Sequence, residues 1–106
     1  GIIYPIVMGW QMVVMPGVEG LFGVLPRHAP LLAGLERGVV EVHEDGKITD
    51  RIMIDGGFAD VSGRSVTIMA ERAIDLGKAD AVILKETAAK ATAVEADFLQ
   101  AVIDEL

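Results

Sequence analysis

The chain has 106 residues, of which 52% are hydrophobic, and its formal net charge is −7, which fits one small domain, or a small domain with an appendage, built around a compact core. The negative charge and the scattered basic residues argue against binding to nucleic acid or to an anionic membrane surface. Because the chain has no cysteine, disulfides, thiol catalysis and zinc sites with cysteine ligands are excluded.

Residues 1–15 are strongly apolar, but Pro5, Gly9 and Gln11 interrupt the run. A helix that spans a bilayer needs about 20 apolar residues, and no basic segment of the kind found in signal peptides precedes this run. The stretch is therefore predicted to form buried strand rather than a membrane helix, with one strand over residues 12–15.

Residues 16–32 contain three glycines, three prolines and one histidine. Glycine adopts backbone angles that other residues avoid, and proline removes an N–H donor, so the stretch is predicted to form tight turns joined by very short strands. A stiff surface of this kind loses little freedom when a partner binds, which favours a docking function. The apolar residues expected to point inward are Phe22, Val24, Leu25, Leu31 and Leu32.

A β-hairpin is predicted around Asp45-Gly46, since this dipeptide between two strand-like runs is a strong turn signal. The first arm, residues 39–42, is β-branched at three of its four positions. The return arm, residues 48–54, is apolar on both sides, as in a strand inside a sandwich.

A second hairpin is predicted from residues 58–61 and 65–70, joined by a turn at 62–64. Gly56-Gly57 precedes it and indicates a bulge or a close approach of two backbones. Several short strands separated by frequent turn signals indicate a β-sandwich or barrel.

From Ala79 onward the chain has no glycine or proline and is rich in alanine, the best helix former. Thr92 and Glu95 match a capping box, so two helices are predicted, over residues 78–90 and 93–106, which can pack as a hairpin. One continuous helix is also compatible with the pattern.

Apolar stripes at helical spacing are expected to face the rest of the protein. In the second helix the stripe consists of Val94, Phe98, Ala101, Val102 and Leu106. In the first helix a weaker stripe consists of Ala79, Val82, Ile83, Glu86 and Ala89. The predicted fold is a mainly β sandwich over residues 1–76, followed by a C-terminal α-helical hairpin over residues 77–106.

No catalytic or metal site is predicted from the residue types. His28 lacks a nucleophile, since residues 1–48 contain neither serine nor threonine, and a structural or docking role suits it better. Glu41, His43 and Asp45 are the candidates for metal binding, although a solvated strand face explains them more simply. Lys47 near the hairpin tip leaves one alternative open, a free-standing β-sandwich carrier or ligand-binding module.

The sequence G-x-x-G-x-x-G-V-L-P-x-H-A-P-L-L of residues 17–32 resembles the signature loop of the epsilon subunit of the F-type ATP synthase, bacterial type. Three later stretches agree in order and spacing, namely residues 38–42, 54–61 and 70–73. The resemblance covers residues 12–76 well. Residues 1–11 depart from it, because they lack the polar turn that follows the opening strand in the family.

This resemblance implies a non-catalytic rotor subunit in the central stalk. Its sandwich would pack on the gamma subunit and rest on the ring of c subunits, and so transmit torque. Its C-terminal hairpin would lie compact or extend along gamma, touch the alpha/beta head transiently and impede ATP hydrolysis. Such a subunit is peripheral to the cytoplasmic face of the bacterial inner membrane, without insertion into it.

Carried over by the motif, the contacts with the c-ring and gamma fall on eight residues: Glu19, Gly20, Leu21, Phe22, Arg27, His28, Ala29 and Pro30. The family commonly has an acidic residue where Leu21 stands, so the contact there is expected to shift toward apolar packing.

The same family can bind nucleotide through an Ile/Leu-Asp-x-x-Arg-Ala motif, which corresponds to residues 74–79 here. The candidate nucleotide-binding residues are Glu71, Asp75 and Lys78. Lys78 takes the place of the arginine, which weakens the expectation of ATP as a regulatory ligand, and no other cofactor is predicted. Glu71, Arg72 and Asp75 are also candidates for an ion pair at the junction between sandwich and hairpin.

Overall fold

The computed structural model describes residues 1–7 and 9–106, and within them nine β-strands are followed by two α-helices. The predicted fold class, a β-sandwich with a C-terminal helical hairpin, is confirmed. The strands are β1 (Ile2–Val7), β2 (Met12–Gly17), β3 (Gly20–Val24), β4 (His28–Leu35), β5 (Gly38–Glu44), β6 (Lys47–Ile54), β7 (Gly57–Gly63), β8 (Ser65–Ala70) and β9 (Ala73–Asp75). The helices are α1 (Ala81–Lys90) and α2 (Ala93–Asp104).

The strands follow one another in the order β1-β8-β7-β4-β2-β5-β6-β9, and β3 pairs with β2 outside this path. The described strand pairs are antiparallel, and a single residue pair, Gly17 with Leu35, joins β4 to β2. Two backbone hydrogen bonds flank this pair, from the Val18 N–H to the Gly34 carbonyl at 3.0 Å and from the Glu36 N–H to the Pro16 carbonyl at 2.8 Å. The strands enclose one core. The most deeply buried side chains of this first core are Val13, Met15, Val40, Ile54, Val61 and Val66.

A second, smaller apolar cluster lies between the helices and the outer side of β5, β6 and β9. Val39, Met53 and Ile74 are cross-strand partners, so their side chains form one row on that side of the sheet. Phe98 and Val102 of α2 are buried in the same cluster. The hairpin therefore packs on the sandwich without entering the first core.

Both helices begin at a capped residue. The Asp80 carboxylate accepts hydrogen bonds from the backbone N–H of Val82, at 2.9 Å, and of Ile83, at 3.2 Å, so α1 begins three residues later than predicted. The Thr92 hydroxyl accepts one from the N–H of Glu95, at 3.3 Å, which confirms one of the two hydrogen bonds of the predicted capping box. These caps satisfy N–H groups that the first turn of a helix leaves free.

The predicted stripes on the helices are correct only in part. In α2, Phe98 and Val102 are buried, but Val94 and Leu106 are exposed. In α1 the prediction is wrong: Leu84 is the buried residue, whereas Val82 and Ile83 face solvent. Three consecutive apolar residues fit several helix faces equally, so spacing alone does not choose among them.

Two expectations for residues 16–32 are wrong. β4 has eight residues and lies between β7 and β2, although very short strands were predicted. Pro30 is tolerated there because the β4–β7 register shifts between His28 and Leu31, at a bulge where no N–H is needed. Leu25 and Leu32 point outward and are 60% and 67% exposed, while Phe22, Val24 and Leu31 contact the first core as expected.

Two strands are less buried than predicted. β1 forms one end of the sheet, and Ile6 is its buried residue. In β6 the first four residues are exposed, and burial begins at Arg51, because α2 and β9 cover only the second half. Within the described residues, no helix is long and apolar enough to cross a membrane.

Candidate docking surface

An open groove runs between β3 and β4 and has a volume of about 530 Å³. Four of the predicted contact residues, Glu19, Gly20, Leu21 and Phe22, line one wall. The remaining lining residues are Gly17, Val18, Leu31, Leu32, Ala33 and Gly34. The predicted docking stretch therefore folds around a concave apolar surface.

The alternation of side chains along β3 builds the first wall. Phe22 is opposite Met15 and Leu21 is opposite Pro16, so these two pairs lie on opposite sides of the hairpin. Phe22 packs against the first core, whereas Leu21 is 75% exposed. A Cβ atom at Gly17 would lie 2.8 Å from the Phe22 ring, so the ring occupies the space that this glycine leaves.

The other four predicted contact residues are also exposed: Arg27 lies in the turn between β3 and β4, and β4 begins with His28, Ala29 and Pro30. Arg27 has a φ of 67°, and its N–H donates to the carbonyl oxygen of Gly63 at 2.9 Å. This bond ties the turn to the β7–β8 turn. The Nδ1 atom of His28 lies 2.6 Å from the Ala29 oxygen.

The eight predicted contact residues therefore form two groups, at the two ends of β3. A five-residue strand is roughly 16 Å long at about 3.3 Å per residue. One partner atom cannot reach both groups, whereas a broad partner surface can cover them. Each end of β3 also carries an exposed charged residue, Glu19 before the strand and Arg27 after it.

An exposed apolar stripe, absent from the sequence-based predictions, continues from the groove across the outer face of the sheet. Gly34, Phe58, Met69 and Ile3 are successive cross-strand partners on β4, β7, β8 and β1. Val18 packs over Gly34, since a Cβ there would lie 3.5 Å from Val18 Cγ1. We define the apolar stripe as Val18, Leu32, Phe58, Met69 and Ile3. Phe58 is 55% and Ile3 72% exposed.

The signal for this stripe was present in the sequence but could not be assigned. Phe58 alternates with Ala59 and Asp60, and Met69 with Ile68 and Ala70. Both faces of these strands are apolar, so period-two alternation does not tell which one faces solvent. The register in which the strands pair determines which face is exposed to solvent.

The candidate nucleotide-binding residues lie around β9. Glu71 precedes this strand and is exposed, and Asp75 ends it. The Asp75 carboxylate accepts a hydrogen bond from the Gly77 N–H at 2.9 Å, and the Lys78 N–H donates to the Asp75 carbonyl at 3.1 Å. Burial raises the pKa of the Tyr4 hydroxyl, and the nearby carboxylates of Asp75 and Asp50 raise it further.

The predicted ion pair among Glu71, Arg72 and Asp75 does not form. Arg72 Nη1 instead lies 2.9 Å from Asp55 Oδ2, and Arg37 Nε lies 2.9 Å from Asp55 Oδ1. The hydrogen bond from Arg37 is the main cause that lowers the pKa of Asp55, and the bond from Arg72 adds to it against the effect of burial. Arg37 and Arg72 are 18 and 17 residues from Asp55 in the sequence, and the pairing of β6 with β5 and β9 brings them together.

The candidate metal ligands do not converge. His43 Nε2 lies 3.3 Å from Glu41 Oε1, while the Asp45 N–H donates to the Gln11 side chain at 2.8 Å. Among residues 1–7 and 9–106 no group of three or more His, Asp or Glu side chains is arranged to hold a metal ion.

These features define a class of protein: a small β-sandwich with an appended helical hairpin, which carries an apolar groove and stripe on its surface. Residues 8–76 match the family described as ATP synthase, Delta/Epsilon chain, beta-sandwich domain. The chain belongs to this family. The resemblance inferred from residues 17–32 is thereby confirmed.

Curated relatives agree with this assignment. The ATP synthase epsilon chain of Rhodospirillum rubrum is 42% identical over 87 residues, which cover 82% of this chain and 61% of the relative. That of Maricaulis maris is 50% identical over 70 residues, which cover 66% and 52%. The match to the ATP synthase epsilon chain of Paramagnetospirillum magneticum covers 51% of that relative. The chain therefore spans between half and about three fifths of the length of these proteins.

A solved structure has the same fold. A chain of the Euglena gracilis mitochondrial ATP synthase, in an assembly of OSCP, F1 and c-ring, superposes with a TM-score of 0.59 at 29% identity. The match covers 76% of this chain and 51% of that chain.

Proposed function

We propose that the chain is part of a non-catalytic central-stalk subunit of a proton-translocating F-type ATP synthase, where it couples the gamma subunit to the c-ring. Membership of the delta/epsilon family supports the choice of machine. The observation that carries the docking role is the exposed apolar stripe, which joins the groove between β3 and β4.

The stripe has the properties of a surface that a partner covers. A stable monomer rarely exposes a large contiguous apolar patch, and here Leu32 and Phe58 are 67% and 55% exposed on neighbouring strands. Aromatic side chains are frequent anchors of protein interfaces. Because Leu32, Phe58, Met69 and Ile3 lie on paired strands, with Val18 in the turn beside them, binding costs the stripe little conformational freedom. We assign it to the gamma subunit.

The two turns at the ends of β3 are assigned to the c-ring. Leu21 is 75% exposed, so its contact with the ring is apolar packing, where the family commonly offers an acidic residue. Glu19 and Arg27 add a charge at each end of the contact. A ring is wide enough to cover both turns at once.

The C-terminal hairpin is proposed to modulate ATP hydrolysis through transient contact with the alpha/beta head. Its exposed apolar residues Val82, Ile83 and Val94 are available for that contact. The location that follows is the cytoplasmic face of the bacterial inner membrane, as a peripheral part of the F1 sector. The division into units of residues 1–76 and 77–106 remains a prediction.

Binding to a purified bacterial gamma subunit, measured by titration calorimetry, tests the proposal. Phe58→Ser and Leu32→Ser should each weaken the complex about tenfold, as loss of an interface anchor does. Ile48→Ser is the matched control, since Ile48 is 47% exposed but lies outside the stripe, and it should change the affinity less than twofold. Equal weakening by all three variants, or no binding by the unchanged chain, would contradict the assignment.

A coupling assay separates this function from the carrier alternative. In reconstituted enzyme, Leu21→Ala should reduce ATP-driven proton pumping while ATP hydrolysis persists. Purified chain carrying a covalent group on Lys47 would instead support a carrier, which the family assignment does not favour.

A further inference from the structure

The helical hairpin and the sandwich have separate apolar cores. Met53 and Leu76 are the buried residues that the β part contributes to the second cluster, while Leu84, Phe98 and Val102 come from the helices. The inward neighbours of Met53, Ile52 and Ile54, belong to the first core. The hairpin can therefore leave the sandwich without opening the first core, and the contacts at its seat decide how firmly it is held.

One guanidinium reaches from the sandwich to the hairpin. Arg37 precedes β5, and its Cζ atom lies 5.8 Å from the centroid of the Phe98 ring on α2, within the range of a cation–π interaction. Its Nη1 atom lies 3.8 Å from Asp97 Oδ2. Phe98 is 1% exposed, so the guanidinium covers the edge of the second core.

The Asp55 carboxylate holds this guanidinium in place. Its two oxygens lie 2.9 Å from Arg37 Nε and from Arg72 Nη1, and the backbone N–H of Asp55 donates to the Arg72 carbonyl at 2.9 Å. The Arg37 side chain is 36% exposed but that of Asp55 only 15%, so water screens this contact less than it screens a pair in which both partners are exposed. Asp55 and Arg72 themselves have no described hydrogen bond or ion pair to a helix.

The other ionic contacts of α2 are ordinary surface pairs. Asp97 is 82% exposed, so its attraction to Arg37 is largely screened. At the other end of the helix Arg51 Nη2 lies 2.8 Å from Glu105 Oε2, with side-chain exposures of 37% and 40%. Pairs of this kind contribute little to stability. The oriented contact of Arg37 with Phe98 is the more specific link.

We propose that Arg37 is a positioning residue that clamps the helical hairpin to the sandwich, and that Asp55 sets the clamp by holding the guanidinium over Phe98. Asp55 therefore controls a helix with which it makes no described hydrogen bond or ion pair. This inference concerns the chain alone and stands whether or not the proposed partners are correct.

Amide hydrogen exchange on the full chain tests the clamp, because local opening is measured separately for each element. Arg37→Gln and Asp55→Asn should each speed exchange of the protected amides of α2 by about threefold to tenfold. Amides of first-core strands, such as those of Val13 and Val61, should keep their rates. Arg72→Gln is the matched control, since it removes a positive charge that pairs with the Asp55 carboxylate but leaves the contact of Arg37 intact. It should change the exchange rates of the α2 amides by less than about twofold.

Unchanged α2 exchange in Asp55→Asn, or equal acceleration by Arg72→Gln, overturns the proposal, because the net charge of the cluster rather than orientation would then hold the hairpin. If Asp55→Asn also loosens the first core, Arg37→Lys decides. It keeps the charge but not the planar fork, so loosening of α2 supports the clamp and full retention overturns it.

Discussion

Gly57 lies so close to Met69 that a side chain at position 57 would collide with the backbone of the neighbouring strand. A Cβ atom there would meet the Met69 carbonyl oxygen and lie 2.9 Å from the Ala70 Cα. Gly57 also has a φ of 128°, which L-residues rarely adopt. The predicted close backbone approach at Gly56-Gly57 thus lies between β7 and β8.

Gly57→Ala should therefore destabilise the sandwich by about 3 kcal/mol, through strain and the displacement of a strand. Gly63→Ala is the control: its φ is 58° and nothing lies within 4 Å of the added atom, so it should cost about 1 kcal/mol. Urea unfolding measures both free energies. Similar costs for the two variants would show that the approach of β7 to β8 is not rigid.

Neighbouring residues on β3 should respond in opposite ways to truncation. Phe22→Ala should cost about 3 kcal/mol, because the ring packs against the first core. Leu21→Ala should change the free energy of unfolding by less than about 0.5 kcal/mol, since Leu21 is 75% exposed. The same urea experiment checks both, and a destabilising Leu21→Ala would place that side chain inside.

Unfolding of the two cores should be measurable separately with two spectroscopic probes. Trp10 is the single tryptophan and is buried in the first core, so its fluorescence reports on the sandwich, while circular dichroism at 222 nm is dominated by the helices. Val102→Ala should lower the stability seen by dichroism by about 2 kcal/mol and leave the fluorescence transition in place. Val61→Ala should shift the fluorescence transition. Coincident shifts of both signals in Val102→Ala would mean that the two parts unfold as one unit.

Acid should remove the contribution of Asp55. The hydrogen bond from Arg37, together with that from Arg72, holds the pKa of Asp55 in the folded protein below its usual value, which is about 3.9 in unfolded chains. The ionised carboxylate therefore stabilises the fold above about pH 4, and this stability is lost as the pH falls through the folded pKa.

Asp55→Asn should consequently be less stable than the unchanged chain at pH 7, and the difference should shrink below about pH 4. Urea midpoints at pH 7, 5 and 3 provide the measurement. A difference that stays constant over this range would show that packing of the side chain, and not its charge, matters.

Local signals in the sequence predicted local structure well. Asp45 and Gly46 have φ values of 53° and 74°, as a tight hairpin turn at Asp-Gly requires, and Thr92 caps α2. Secondary structure that depends on neighbouring residues can be inferred from them. The strands 39–42 and 65–70 were located for the same reason.

Which side of an element faces inward could not be predicted where both sides are apolar. Leu32 was expected inside, but its pairing with Asp60 places it on the outer face with Phe58. The pair of Arg37 with Asp55 likewise depends on the register of β5 with β6, which no local pattern encodes. The turns of residues 16–32 were therefore predicted, whereas the length of β4, the outward positions of Leu25 and Leu32 and the apolar stripe beside them were missed.

The apolar stripe has a consequence for synthesis of the protein. A copy made without its proposed partner would carry Phe58, Ile3 and Leu32 uncovered, and exposed surface of this kind promotes aggregation and degradation. A cell that makes this chain in excess of the proposed partner would lose the surplus, so the abundance of the chain should follow that of the proposed partner.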